Sequence, residues 1–220
     1  MKKIGTKLLV VLTVALGGLV ASQEPTTAHA STTFSSIPSG HFKVSKAGYA
    51  FRWQTFKSGS KKGKILVFGD FKNFAVRYGI PTKYKLSKSH RTLTTYYRLM
   101  NNNKLDKTTY RMDVYKYSNS KYRVKLNHYK AGLFPSYKGS SYKVSLTKSS
   151  PAQSFATTYS KPALLKQVTA SYMQQIQSQF DQGKTKIDPS DASVQQQIKD
   201  KAAGDVDKAV QGFVTAYNAY

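Results

Sequence analysis

The sequence YRMDVYKYSNSKYRVKLNHY, residues 110–129, decides the fold. Apolar and polar residues alternate along both of its halves, and Ser118, Asn119 and Ser120 interrupt the alternation. Alternation with a period of two is typical of β-strands, and a short polar interruption is typical of a hairpin turn. We therefore predict an antiparallel hairpin with a three-residue loop, in which Asn119 or Ser120 can take the left-handed conformation.

The register of this hairpin follows from the side chains that must be buried. Pairing Val114 with Val124 collects apolar residues on one face and charged residues on the other. The same register sets Met112 opposite Leu126, Asp113 opposite Lys125, and Tyr115 opposite Arg123. A four-residue loop would instead pair Val114 with Lys125 and mix the two faces, so we expect the three-residue loop.

The same alternation recurs along most of the chain. It predicts strands at residues 41–46, 49–56, 64–68, 73–78, 83–87, 92–100, 110–117, 122–129 and 141–147. Glycine, asparagine and proline separate several of these runs and predict turns at residues 57–63, 79–81, 101–103 and 139–140. Eight or nine short strands with tight connections indicate an antiparallel β-barrel or a sandwich.

One strand pattern occurs three times, as FKVS at residues 42–45, YKLS at 84–87 and YKVS at 142–145. Alternation places its aromatic and aliphatic residues on one face and its lysine and serine on the other. We therefore expect Lys43, Lys85 and Lys143 to point to solvent.

The last third of the chain changes to helical periodicity. The apolar stripes consist of Leu165, Val168, Tyr172, Ile176 and Phe180, and then Val194, Ile198, Ala202, Val206, Val210, Phe213 and Tyr217. We expect Ser160 and Asp188 to cap the two helices, Gly183 to end the first, and Gly204 to be a candidate break in the second. The predicted fold is α+β: an antiparallel barrel or sandwich followed by a C-terminal helical hairpin.

The start of the chain has the three parts of a secretory signal peptide. Three lysines precede an apolar run over residues 8–20, and Ala28, His29 and Ala30 follow it, which predicts cleavage after Ala30. The apolar run is shorter than the roughly 20 residues that span a bilayer. The predicted plan is a signal peptide at 1–30, a short leader at 31–40, a basic β-domain at 41–148, a linker at 149–160 and the helical hairpin at 161–220. The chain has no cysteine, so an exported form has no disulfides, which favours a Gram-positive cell surface.

The sequence favours a binding protein over an enzyme. Residues 31–160 contain three carboxylates, Asp70, Asp106 and Asp113, which is poor support for a paired-carboxylate mechanism. His41, His90 and His128 lie far apart in no metal-ligand spacing, and neither a cysteine nucleophile nor a phosphate-binding glycine loop is present. We therefore expect no catalytic residues, no metal and no cofactor.

Charge is the strongest indication of a partner. The net charge is +25, and residues 31–160 hold 25 Lys or Arg against three aspartates, whereas residues 161–220 hold seven lysines against six aspartates. Basic residues interleaved with aromatic rings suit a polyanion whose uncharged parts stack on the rings. The candidate contacts are Lys43, Lys85, Lys143, Arg111, Arg123, Lys125, Tyr115 and Tyr117.

An exported protein meets some polyanions more often than others. Single-stranded nucleic acid binds surfaces of this kind, but an exported protein rarely meets it. Anionic wall polymers such as teichoic acids, or an anionic lipid surface, are the nearer partners. Diffuse electrostatic retention at the cell surface is the alternative to specific polymer binding.

The signal ending in AHA, the absence of cysteine, and strands such as TTYYRLMNNNK and SYKVSLTKSS resemble the small basic exported surface proteins of lactobacilli. Some of those proteins are lipocalin-like barrels and others are linked to surface layers, so the resemblance over residues 31–150 implies a protein of the cell surface. A lipocalin-like site for a small apolar ligand is therefore one alternative function. A membrane-active or inhibitory factor, acting through the helical pair, is another.

Overall fold

The computed structural model describes residues 32–58, 61–101, 104–127 and 141–219. The side chains of residues 58, 61, 126 and 127 are not described. The predicted signal peptide, His128, and the predicted turn at residues 139–140 lie outside the described residues. The chain divides into two compact units, one holding the strands and the other Phe71–Phe74 with Ala152–Ala219.

The strands form an eight-stranded antiparallel barrel with one short additional strand. They are β1 His41–Val44, β2 Tyr49–Ser58, β3 Lys61–Asp70, β4 Ala75–Leu86, β5 Thr92–Asn101, β6 Lys104–Leu105, β7 Tyr110–Lys116, β8 Lys121–Asn127 and β9 Ser141–Thr147. The order around the barrel is β1-β2-β3-β4-β5-β7-β8-β9, and β9 pairs with β1 to close it. Short β6 pairs with the end of β5. Of the two predicted alternatives, a barrel and a sandwich, the structure shows the barrel, with neighbouring strands joined up and down.

Aromatic rings fill the middle of the barrel. The Phe42 ring stacks on Phe51 with centroids 4.9 Å apart, and it meets Tyr122 edge-on at 5.0 Å and Trp53 edge-on at 5.5 Å. Phe42 and Phe51 are fully buried. An eight-stranded barrel is just wide enough for inward side chains to fill it, so these rings are its core.

The leader also contributes to this core. The Phe34 N–H donates to the His90 carbonyl at 2.8 Å, and its buried ring lies 6.1 Å from that of Tyr122. The Lys116 Nζ donates to the Thr33 carbonyl at 2.9 Å. These contacts fix residues 33 and 34 against the strands.

The hairpin of β7 and β8 has the predicted register, with Val114 opposite Val124. Its loop differs in one respect, because neither Asn119 nor Ser120 has a positive φ. The Ser118 Oγ instead accepts the N–H groups of Ser120 at 3.4 Å and of Lys121 at 3.2 Å. The loop is therefore closed by a side chain rather than by a left-handed residue.

The turn predicted at residues 79–81 is wrong, because β4 runs through it from Ala75 to Leu86. The pairing of β4 with β5 shifts between Pro81 and Lys83, which is a β-bulge. Such a bulge accommodates Pro81, which has no N–H for the ladder. The two strands predicted at 73–78 and 83–87 are therefore one bent strand.

The helical unit contains α1 Ala152–Phe155, a π-helical turn Ala156–Ser160, α2 Lys161–Asp181 and α3 Ala192–Asn218. Residues 152–160, predicted as a linker, are helical, so Ser160 is no N-cap. Asp191, not Asp188, caps α3, because its carboxylate accepts the N–H groups of Ser193 and Val194. The candidate break at Gly204 is absent since α3 is continuous, while Gly183 follows α2 with a φ of 66° as expected for its end.

Phe71 lies at the centre of the helical unit. Its ring meets those of Phe155 at 5.4 Å, Phe213 at 5.2 Å and Tyr217 at 5.7 Å. The predicted stripe of α3 is buried from Ile198 onwards, whereas α2 has no buried residue. Packing in this unit therefore relies on α3, the turn Phe71–Phe74 and the buried residues of 152–160.

Candidate polyanion-binding surface

The barrel places the predicted contact residues on its outer face because their inward neighbours form the core. Val114, Val124 and Val144 are buried in β7, β8 and β9, and the residues on either side of them point outward. Cross-strand pairing then sets Tyr115 beside Arg123, and Arg123 beside Lys143. Three of the predicted residues thus form one row across three strands.

A compact cluster lies at one end of this row. The guanidinium carbon of Arg123 lies 5.5 Å from the centroid of the Tyr115 ring, and that of Arg91 lies 4.9 Å from the same centroid. Tyr117 meets Tyr115 edge-on with ring centroids 4.8 Å apart, and 44 % of Tyr117 is exposed. We refer to Arg91, Tyr115, Tyr117 and Arg123 as the tyrosine–arginine cluster.

Arg91 was not among the residues predicted from the sequence. It lies just before β5, and the pairing of Thr92 with Tyr115 brings it to the hairpin. The Lys116 N–H donates to the Arg91 carbonyl at 2.9 Å and fixes the backbone there. No local pattern in the sequence indicates this neighbour, because it depends on pairing between strands about 20 residues apart.

One carboxylate, Asp113, lies within this face. Its Oδ1 accepts hydrogen bonds from Thr94 Oγ1 at 2.7 Å and from Arg111 Nε at 3.0 Å. The register places Asp113 opposite Lys125 as predicted, but its ion pair is with Arg111. The hydrogen bond to Asp113 raises the pKa of Arg111 and partly neutralises its charge, so Arg111 is less available to a partner than Arg123.

Lys43 and Lys85 lie on opposite flanks of this face. Lys85 shares a cross-strand row with Thr94, Asp113 and Lys125, two strands away from β7. Lys43 is on β1, paired with Ser145 of β9. Neither lysine pairs across strands with Tyr115, Arg123 or Lys143, so both lie outside the row that these residues form. The structure therefore brings together Tyr115, Tyr117, Arg123, Lys125 and Lys143, and leaves these two lysines apart.

Asp106, the carboxylate between β6 and β7, accepts hydrogen bonds from the Tyr110 hydroxyl at 2.8 Å and the Thr108 N–H at 3.0 Å. Burial, and the charge of Arg52, lower the pKa of His41 to about 4.

Among the described residues, no three His, Asp or Glu side chains come together as metal ligands. Within the same ranges, no helix is long and apolar enough to cross a membrane.

No protein-family model matches the chain. Searches of curated proteins and of solved structures also give no significant match.

Proposed function

We propose that this protein is exported, remains at the cell surface, and binds anionic wall polymers of the teichoic acid type through the outer face of β7, β8 and β9. The observation that carries the proposal is the row of Tyr115, Arg123 and Lys143, flanked by Arg91 and Tyr117. Rigid strands hold these side chains in place, which lowers the entropy cost of binding. The Lys and Arg excess of residues 31–160 supports the same class of partner.

Binding at a defined face and diffuse attraction to the net positive charge differ in how they respond to salt. Diffuse attraction depends on net charge and is screened at moderate salt, where the Debye length is about 8–10 Å. Hydrogen bonds from guanidinium groups to phosphate persist better, because they are short and directional. Retention in moderate salt is therefore the property to measure.

The test uses wall sacculi with and without teichoic acid, incubated with the mature protein at moderate salt. We expect intact sacculi to retain it and stripped sacculi to release most of it. Equal retention by both would reject the proposal. Anionic phospholipid vesicles form a further arm, and tighter binding to these vesicles than to intact sacculi would assign the face to lipid and overturn the proposal.

A matched pair of triple variants locates the surface. Changing Arg123, Lys125 and Lys143 to Gln removes three charges from the face. Changing the exposed Lys57, Lys62 and Lys104 to Gln removes three charges elsewhere on the strand unit. We expect the first variant to bind intact sacculi about tenfold more weakly and the second to bind nearly as the unchanged protein. Equal losses would indicate diffuse attraction.

The barrel fold is also compatible with a small ligand inside it. Trp53 Nε1 and Thr95 Oγ1 are buried, and neither atom has a hydrogen-bond partner among the described residues. Such atoms are what a ligand with polar groups would meet. The aromatic core occupies the middle of the barrel, so this second function requires rings such as Phe42 to move. Titration with an apolar fluorescent probe, read by Trp53 emission, tests it.

A further inference from the structure

The tyrosine–arginine cluster has a geometry that bare electrostatic attraction does not require. Arg91 and Arg123 both lie against the Tyr115 ring, so their positions are set by contact with one aromatic plane. A guanidinium that contacts a ring keeps its N–H groups available to an acceptor. Two such groups beside one ring can therefore be offered to the same anionic chain.

The hydrogen bonding of Arg91 is incomplete within the protein. Its Nε is buried, and no acceptor for that atom occurs among the described residues. A buried N–H without an acceptor is unfavourable, and a guanidinium fork fits two phosphate oxygens. Asp113 Oδ1 accepts hydrogen bonds from Thr94 and Arg111. The Nη groups of Arg91 are not among the buried atoms without a partner in the described residues, so an external anion would bind this guanidinium through them.

Tyr117 adds an uncharged surface next to the cations. Its ring contacts Tyr115 edge-on, and nearly half of its surface remains exposed. An exposed aromatic ring beside a phosphate site packs well against the apolar face of a sugar. A bare polyol phosphate carries no ring to place there.

We infer that the tyrosine–arginine cluster is a subsite for a glycosylated chain of phosphodiesters, in which Arg91 and Arg123 bind phosphate groups of the chain and Tyr117 packs on the sugar. This inference rests on the proposed function and specifies the substituent that the polymer carries. Arg91 is a direct contact in it, and Lys143, opposite Arg123, supplies charge to the adjoining phosphate.

The probes are glycerol phosphate hexamers with and without glucosyl groups, titrated into the mature protein by calorimetry. We expect the glucosylated hexamer to bind about fivefold more tightly than the bare one, because the sugar and the Tyr117 ring would bury a small area of apolar surface. Arg91→Lys keeps the charge but loses the fork, and we expect about a tenfold loss of affinity for both hexamers. Tyr117→Leu should abolish the preference for the glucosylated hexamer and leave binding of the bare hexamer unchanged.

Matched variants control for folding and composition. Arg77→Lys makes the same change at an exposed position on β4, and Tyr96→Leu removes another half-exposed tyrosine on β5. Both should bind the hexamers as the unchanged protein does. Thermal melting of each variant shows whether it is folded at the titration temperature, and a cluster variant that is unfolded there is replaced by Arg91→Gln or Tyr117→Met.

Two results would overturn the inference. One is an Arg91→Lys protein with unchanged hexamer affinity, and the other is a Tyr117→Leu protein that keeps the full preference for the glucosylated hexamer. Neither result bears on the sacculus test, because that test compares intact and stripped walls with the unchanged protein. The inference and the proposed function therefore fail in different experiments.

Discussion

Tyr97 packs directly against Gly79 inside the barrel. A β-carbon placed on Gly79 would lie 2.8 Å from Tyr97 Cδ2, 3.3 Å from Phe68 and 3.4 Å from Leu66. Tyr97 is almost completely buried, so its ring has little space into which it can move. Gly79 is therefore needed for close packing, and it lies in the strand where β4 bends towards its bulge at Pro81 and Lys83.

Gly79→Ala should destabilise the protein because the added methyl group overlaps the Tyr97 ring. We expect the free energy of unfolding to fall by about 1–3 kcal/mol, as in other overpacked cores. Urea denaturation followed by far-ultraviolet circular dichroism measures this change. The matched control is Gly204→Ala in α3, where a β-carbon meets nothing within 4 Å. That control should be neutral or stabilising by up to about 1 kcal/mol. Equal effects at both positions would contradict the packing role of Gly79.

Ser160→Ala should destabilise the helical unit. The Ser160 Oγ donates a 2.6 Å hydrogen bond to the Phe71 carbonyl, and the side chain is buried. Its loss leaves that carbonyl without this donor, so we expect a cost of about 1–2 kcal/mol in unfolding free energy. Thr158→Ala removes an exposed hydroxyl that donates to the Ser154 carbonyl, four residues earlier in the chain, and should cost less. A larger effect for Thr158→Ala would show that the bond to Phe71 is unimportant.

Asp113→Asn should strengthen polymer binding while weakening the fold slightly. The change removes the one carboxylate on the outer face of β7 and releases Arg111 from its ion pair. The ion pair of Arg111 with Asp113 is partly exposed, so we expect the free energy of unfolding to fall by about 1 kcal/mol. Retention by intact sacculi should persist to higher salt than for the unchanged protein, and salt elution measures this. Elution at lower salt would count against the outer face as the polymer site.

His41 should make the protein less stable in acid. Its pKa is about 4 in the folded protein, against 6.5 for an ordinary histidine. Between these two values the unfolded chain binds a proton that the folded protein does not, so stability falls as the pH falls from 6.5 towards 4. By pH 4.5 we expect this group to have cost about 2 kcal/mol.

Urea unfolding at pH 7 and pH 4.5 tests this pH dependence. His41→Gln cannot titrate there, so its stability should fall by less than that of the unchanged protein between the two pH values. His90→Asn is the control, since His90 is exposed and asparagine tolerates its positive φ of 54°. An unchanged pH dependence in His41→Gln would contradict the assignment.

Alternation predicted the strands well where one face of the strand is buried. The register of Val114 with Val124 followed from this, since a shift by one residue would expose every apolar side chain of the hairpin. The stripe of α3 was also predictable, because Ile198, Ala202 and Val206 recur at helical spacing. The turn predicted at residues 79–81 was wrong for a different reason. Glycine and proline often mark turns, but Gly79 instead leaves room for the Tyr97 ring of the neighbouring strand β5.

The binding face was only partly predictable. Tyr115, Tyr117 and Arg123 belong to one hairpin, so their proximity follows from local pairing. Arg91 joins them through the pairing of β5 with β7, and Lys43 and Lys85 lie in other cross-strand rows on β1 and β4. None of these three outcomes is encoded in the spacing of residues along the chain.

The sequence by itself determined which residues point inward, because burying apolar side chains on alternate positions dictates strand faces and hairpin register. It also determined the charge difference between residues 31–160 and 161–220. Only the tertiary structure decided that the sheet closes through β9 and β1, that Phe71 is part of the helical core, and that Arg91 lies against Tyr115. These features depend on contacts between residues distant in sequence, and such contacts form only when the whole chain packs together.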